Sequence, residues 1–317
     1  MELSLSLTKK KLDRDWDVIV VGSGPGGLSA ALYASRGKLK TLVLEKNFTV
    51  GGNIALTSLI EDYPGIKEAT GEEFANLLKE HAESFGAVIA TGEEVINVDF
   101  NSFPRVIKTR NQEFRAKAVI IATGADPKRL NVPGEEEFIG KGVSYCAVCD
   151  APFFKDKNVI VVGGGNSALD EGLYLTKFAK KVYIVHRRDQ LRADKILQER
   201  AFKNPKIEFI FNTVVKKIEG DDVVRRVLLF NNKTNEERYL DIDAVFIYIG
   251  LLPNSALFDV EKDERGYIIT NERMETSVKG VYAVGDVRKS PLKQAITAAG
   301  EGAIAGYFAE KFVEGLG

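Results

Sequence analysis

Apolar and polar positions along the chain repeat one pattern twice. Residues 17–21 (DVIVV) form a short apolar run that reads as a buried strand. The turn Gly22-Ser23-Gly24-Pro25-Gly26-Gly27 follows at once. A helical stretch from Leu28 to Arg36 leads to a second apolar run, Thr41–Leu44, which ends at Glu45. Residues 158–162 (NVIVV) begin the pattern again. Their turn is Gly163-Gly164-Gly165-Asn166-Ser167-Ala168, the helical stretch is Leu169–Phe178, and the second run, Val182–Val185, ends at His186. The same length of chain separates Gly27 from Glu45 and Ala168 from His186. Between the copies the spacing predicts a helix over Gly71–Phe85 and strands within 88–99 and 106–122. After the second copy it predicts a helix near 193–202, strands up to Ile249, a last strand Val281–Val284 running into Gly285-Asp286, and a closing helix from about Gln294. Strands alternating with helices imply α/β architecture with parallel sheets.

Each turn has the composition that a dinucleotide requires. Gly22, Gly24 and Gly27 fit G-X-G-X-X-G: one glycine for the tight turn, one for close approach of a pyrophosphate, one for helix–strand packing. The helix start offers free N–H groups and partial positive charge to phosphates. Glu45, at the end of the next strand, would take ribose hydroxyls, which suits FAD or NAD. Gly163, Gly165 and Ala168 fit the G-X-G-X-X-A form. In the slot of Glu45 stands His186, followed by Arg187, Arg188 and Arg192. Guanidinium groups there pair with a 2′-phosphate that a carboxylate would repel, which suits NADPH.

Composition narrows the class. The 317 residues suggest about two domains. With 44 basic and 45 acidic side chains, the chain lacks the one-signed field of a nucleic-acid or membrane-surface protein. No apolar run approaches the ~18 residues of a membrane span, and the first residues place their basic run after the Leu/Ser stretch, unlike a secretory leader. The expected location is the cytoplasm. The only cysteines are Cys146 and Cys149. Cys-X-X-Cys is a redox pair, half a zinc site or coincidence. Zinc needs four ligands, and the only histidines are His81, on a helix, and His186, in the phosphate slot. A redox pair is the reading that remains, and no metal is expected. Asp150 follows directly, either to move the proton that thiol chemistry needs or as a helix cap.

Taken in order, these motifs resemble the low-molecular-weight thioredoxin reductases. The likeness rests on Gly22–Gly27, Ala122-Thr123-Gly124, Cys146-Ala-Val-Cys149-Asp150, the Gly163 turn with His186-Arg187-Arg188 and Arg192, and Gly285-Asp286 followed by Gln294-Ala-Ile-Thr-Ala-Ala-Gly300. It implies two Rossmann-like three-layer nucleotide-binding domains. The FAD domain would comprise residues 1–126 and 253–317, and an inserted NADPH domain, 127–252, would carry the redox disulfide. It implies electron transfer from NADPH through FAD and the Cys146–Cys149 pair to the disulfide of thioredoxin, and a homodimer. Cys149 would face the flavin and Cys146 would meet the partner. Asp286 would hold the ribityl chain, with Gln294 and Ala295 near the isoalloxazine. The remaining cofactor contacts implied are Ser23, Pro25, Gly26, Lys46, Gly52, Asn53, Asp62, Val95, Asn166, Ser167, Ile249 and Gly250.

The chain departs from the common pattern at Gly51-Gly52-Asn53, where the third residue is usually Gln, and at Asp62 before Tyr63-Pro64-Gly65, usually Asn. It also reads Asp170-Glu171 where Glu-Glu is frequent, and Ala151 where Gly is frequent. A reductase of another glutaredoxin-like or peroxiredoxin-linked carrier is the near alternative. A nucleotide-binding redox sensor would not need the full electron path, and ferredoxin reductases of similar architecture lack the cysteine pair.

Overall fold

The computed structural model describes residues 12–57 and 60–316. Residues 1–11, on which most of the leader reading rests, lie outside that range. The chain begins with β1 (Asp15–Val21), α1 (Pro25–Arg36), β2 (Thr41–Glu45), α2 (Gly71–Ser84), β3 (Val88–Thr91), β4 (Val95–Asp99), β5 (Arg105–Thr109) and β6 (Glu113–Ile121). A crossing strand, β7 (Ala125–Pro127), leads to β8 (Val143–Ser144), α3 (Ala147–Asp150), β9 (Asn158–Gly163), α4 (Asn166–Leu175), β10 (Lys181–Val185), α5 (Lys195–Lys203), β11 (Ile207–Ile210), β12 (Thr213–Gly220), β13 (Val224–Asn231), β14 (Glu237–Asp241) and β15 (Ala244–Tyr248). β16 (Leu251–Pro253) pairs with β7 and crosses back to β17 (Val281–Ala283) and α6 (Ala295–Glu314). Contacts group the chain into two compact units that divide at Gly124/Ala125 and Leu252/Pro253.

In the first unit, β3, β2, β1, β6 and β17 run parallel, and β4 and β5 continue the sheet antiparallel from β6. β6 serves both parts: Glu113–Ala116 pair with β5, and Val119–Ile121 with β17. Its residues alternate accordingly. Val119 and Ile121 join Ile19, Val21, Leu42 and Leu44 in one cluster, which also takes in Phe114 and Ala116, while Ala118 and Ile120 join Val18, Val20 and Val43 under the alanines of α1 and α6. Strands buried on both faces read as continuous apolar runs for this reason. α1 and α6 pack backbone to backbone: a Cβ at Gly302 would stand 2.1 Å from the Gly26 carbonyl oxygen, and one at Gly306 2.6 Å from that of Ala30.

The second unit repeats the plan. Its parallel sheet has the order β11-β10-β9-β15-β8. Val159, Val161, Ile184 and Phe246 pack toward α3, α4 and α5, and Ile160, Val162, Val245 and Ile247 pack toward the antiparallel layer β12-β13-β14. Each unit is thus a three-layer α/β domain of Rossmann type. α1 and α4 start three residues before the apolar spacing suggests, at Pro25 and Asn166. First-turn residues need no intrahelical N–H partner, so Pro, Gly and Asn are accepted there. Among the described residues no helix is long and apolar enough to cross a membrane.

Candidate active site

The first glycine turn is built for a nucleotide. Gly22 has φ +104°, and a Cβ there would lie 2.3 Å from the Ala122 carbonyl oxygen. A Cβ at Gly27 would lie 2.0 Å from the Gly22 oxygen. Helix and strand can close around the turn only because both are glycine. Gly24 caps α1 with no side-chain hydrogen bond and Pro25 begins it, so the first-turn amides face outward without a protein cap. Glu45 is buried at the end of β2. Its Oε2 accepts from Ser23 N (3.0 Å) and Ser23 Oγ (2.6 Å), and its Oε1 accepts from Asn47 N (2.9 Å). The carboxylate therefore also braces the turn, which leaves part of its acceptor capacity for ribose hydroxyls. Lys46 is exposed beside it, and Val95 opens β4 after Glu93, whose amide bonds the Glu45 carbonyl at 2.8 Å. Gly52 and Asn53 start an exposed 3-10 turn, and Asp62 lies on an exposed loop.

The last segment supplies an acid. Gly285, at φ +72°, turns the chain from β17, and Asp286 follows, half-buried. Its carboxylate accepts no hydrogen bond from a described protein group. Burial pushes it above the usual carboxylate range, opposed by Lys293 and aided by Glu301. A shielded acceptor with no protein donor fits the hydroxyls of a ribityl chain. Gln294 caps α6 and Ala295 begins it. Two supports were not apparent from spacing. Glu301 Oε2 accepts the Gly285 amide at 2.7 Å while its other oxygen pairs with Arg288, and Lys293 Nζ donates to the Asp286 carbonyl at 2.8 Å. Both are local to α6 and the Gly285 turn, but nothing in residue type marks their partners. Beside the turn, Thr123 Oγ1 donates to the Asn254 carbonyl (2.7 Å) and Asn254 Nδ2 donates to the Thr123 carbonyl (3.1 Å), so the segments entering and leaving this unit are tied together.

In the second unit, Gly163 pairs with Tyr248. Gly165 caps α4 with no side-chain bond, and no atom lies within 4 Å of the place a Cβ on it would take. That open space in front of the Asn166, Ser167 and Ala168 amides fits a pyrophosphate. Arg187, Arg188 and Arg192 are exposed and form no ion pair with a described carboxylate. The Arg192 amide donates to the Gly164 carbonyl at 2.6 Å, which holds the arginine loop against the turn. Unpaired guanidiniums there fit a dianionic 2′-phosphate. His186 differs from the arginines. It is buried behind the turn, where a Cβ at Gly164 would be 2.4 Å from its Nδ1. Burial lowers its pKa, a hydrogen bond with the Gln190 main chain opposes this, and the three arginines add to the lowering. Ile249 and Gly250 follow β15, with Gly250 at φ +127°.

Cys146 and Cys149 form a disulfide, Cα–Cα 5.4 Å, spanning the short helix α3. The Cys149 amide donates to Cys146 Sγ at 3.2 Å. Ser144 Oγ accepts the Cys146 amide (3.0 Å) and donates to the Cys146 carbonyl (3.1 Å). Asp150 ends α3 and begins the next turn without making a side-chain cap bond. The cap reading of Asp150 is therefore not realised in this conformation.

A pyridine nucleotide turn and a redox disulfide on one scaffold define an oxidoreductase that works between the two. The family description "Pyridine nucleotide-disulphide oxidoreductase" matches residues 16–302, and the chain belongs to that family. It uses FAD and NADPH. A curated thioredoxin reductase of Bacillus subtilis is 49% identical over 307 residues, covering 96% of each chain. The crystal structure of Lactococcus lactis thioredoxin reductase superposes with TM-score 0.92 at 43% identity, covering 95% of this chain and 99% of that one. That of T. acidophilum thioredoxin reductase gives 0.91 at 37% identity, covering 96% and 100%.

Proposed function

We propose that this chain reduces thioredoxin at the expense of NADPH: NADPH, a proton and the thioredoxin disulfide give NADP⁺ and the thioredoxin dithiol. The observation that carries this reading is the Cys146–Cys149 disulfide in the same unit as a nucleotide turn flanked by unpaired arginines. The similar thioredoxin reductases support the choice of thioredoxin as acceptor.

The first unit would hold FAD through the Gly22–Gly27 turn, Glu45, Lys46, Asn53, Asp62, Val95, Ala122–Gly124, Asp286, Gln294 and Ala295. The second would hold NADPH through Gly163–Ala168, Arg187, Arg188, Arg192, Ile249 and Gly250. Bound FAD supplies the two-electron chemistry that joins a hydride donor to a disulfide. Cys149 exchanges electrons on the flavin side. Cys146, as a thiolate, attacks one sulfur of the partner's disulfide; that S–S bond breaks, and Cys149 then displaces the reduced partner and restores Cys146–Cys149. Asp150 supplies the proton that the departing thiolate takes up. A homodimer and a cytoplasmic location belong to the same reading.

The test is NADPH oxidation with thioredoxin as acceptor, beside glutaredoxin-like and peroxiredoxin-linked carriers. The wild type should reduce thioredoxin best. C146S and C149S should each abolish this turnover yet keep flavin bleaching by NADPH, with a long-wavelength charge-transfer band in C146S alone. Turnover with thioredoxin in either variant, or a clear preference for another carrier, overturns the assignment.

A further inference from the structure

Tyr248 ends β15 at the meeting point of the second unit's two chemistries. Its main chain pairs with Gly163, and a Cβ on Gly163 would lie 2.3 Å from the Tyr248 carbonyl oxygen, so Tyr248 forms the floor of the nucleotide turn. Its side chain turns to the other partner. The hydroxyl accepts the amide of Ala147 at 2.8 Å, and Ala147, between the cysteines, is fully buried. Ala147 is the first residue of α3, so its amide has no intrahelical acceptor. The phenol keeps its proton: burial, then the charges of Glu171 and Asp150, raise its pKa. A neutral hydroxyl therefore serves as acceptor at every working pH.

We propose that Tyr248 is a positioning residue for the thiol chemistry, whose hydroxyl holds the Ala147 amide and thereby sets α3 so that the Cys149 amide points at Cys146 Sγ. This rests on the reading of Cys146 as the attacking thiolate. In the reduced protein the Cys149 N–H stabilises that thiolate, because a hydrogen bond to the charged form lowers a pKa. Without the hydroxyl, the buried Ala147 amide must seek another acceptor, α3 shifts, and the bond to sulfur weakens. Tyr248 thus couples the floor of the nucleotide turn to the reactivity of a cysteine far away in sequence.

Y248F keeps the ring and the main-chain contact with Gly163 and removes only the acceptor. A147P removes the donor instead, at a first-turn position where proline is accepted; Cys146 before it is already extended, at φ −142° and ψ 99°. FAD content and the far-ultraviolet circular dichroism of each variant verify folding. In dithiothreitol-reduced protein, the pH profile of Cys146 alkylation, read with C149S as background, should move up by about one unit in Y248F, a roughly tenfold loss of thiolate below the pKa. The thioredoxin kcat should fall by about as much, while KM for NADPH and the rate of flavin bleaching by NADPH stay unchanged. Adding Y248F to A147P should change the profile no further, because the bond is already gone. An unshifted profile in Y248F, or additive shifts in the double variant, would overturn the proposal. The profile is independent of the acceptor, so it still decides the role of Tyr248 if thioredoxin proves to be the wrong partner.

Discussion

Glu171 carries a cost that can be measured. It lies on α4, and its Oε2 is buried without a hydrogen-bond partner. Burial first, and the adjacent Asp170 second, push its pKa from an ordinary 4.5 up to about 7. A carboxyl with a raised folded-state pKa destabilises the fold as it is asked to ionise. Below the unfolded pKa both states are protonated and nothing is lost. Between 4.5 and about 7 the unfolded chain ionises while the native carboxyl does not, so stability falls as pH rises, and above about 7 the penalty is complete. At about 1.4 kcal/mol per unit, the full gap corresponds to about 3 kcal/mol. Glu171→Gln removes the titration. Any fixed cost of burying the amide is the same at every pH and cancels when two pH values are compared. Relative to wild type, the variant should therefore gain about 2–3 kcal/mol between pH 5 and pH 8, with no further gain above that. The assay is denaturant unfolding of the FAD-loaded protein, followed by far-ultraviolet circular dichroism at both pH values. A stability difference between variant and wild type that does not change with pH would refute the account.

Replacing Arg187 and Arg188 by Ala should raise KM for NADPH by at least about tenfold and leave KM for NADH nearly unchanged, since a charge-assisted bond contributes ~1.5–3 kcal/mol; equal effects in steady-state kinetics with the two nucleotides would remove the 2′-phosphate from the argument. Gly302→Ala would set a methyl 2.1 Å from the Gly26 carbonyl oxygen and 3.0 Å from the Ala30 amide. Overpacking of this kind costs ~1–3 kcal/mol, and here it pushes α6 away from the first nucleotide turn. A lower thermal midpoint together with weaker FAD retention is expected, and a variant matching wild type in both would count against the close approach of α1 and α6.

Much of this protein could be read from residue order because the chemistry is local. A dinucleotide turn is a run of adjacent residues between a strand and a helix, so Gly22–Gly27 and Gly163–Ala168 could be recognised where they stand. The residue ending the following strand separates the two nucleotides, Glu45 in one copy and the arginines after His186 in the other. The cysteines lie three apart on one short helix. What the tertiary structure decided involves partners distant in sequence or faces that spacing does not resolve. Apolar periodicity could not show that β6 divides its length between an antiparallel neighbour and a parallel one, because an apolar run does not encode the direction of the strand beside it. Residue type grouped His186 with the arginines, and only packing shows that it stands buried behind Gly164 while Arg187, Arg188 and Arg192 are exposed. Of the adjacent acids Asp170 and Glu171, only the fold shows which is exposed and which is enclosed, since α4 turns about 100° per residue. The bond from Ala147 to Tyr248 exists because β15 pairs with β8, the strand that leads into the disulfide helix, so the end of β15 meets the start of α3. Strand order is set by the whole core, and no local pattern encodes it.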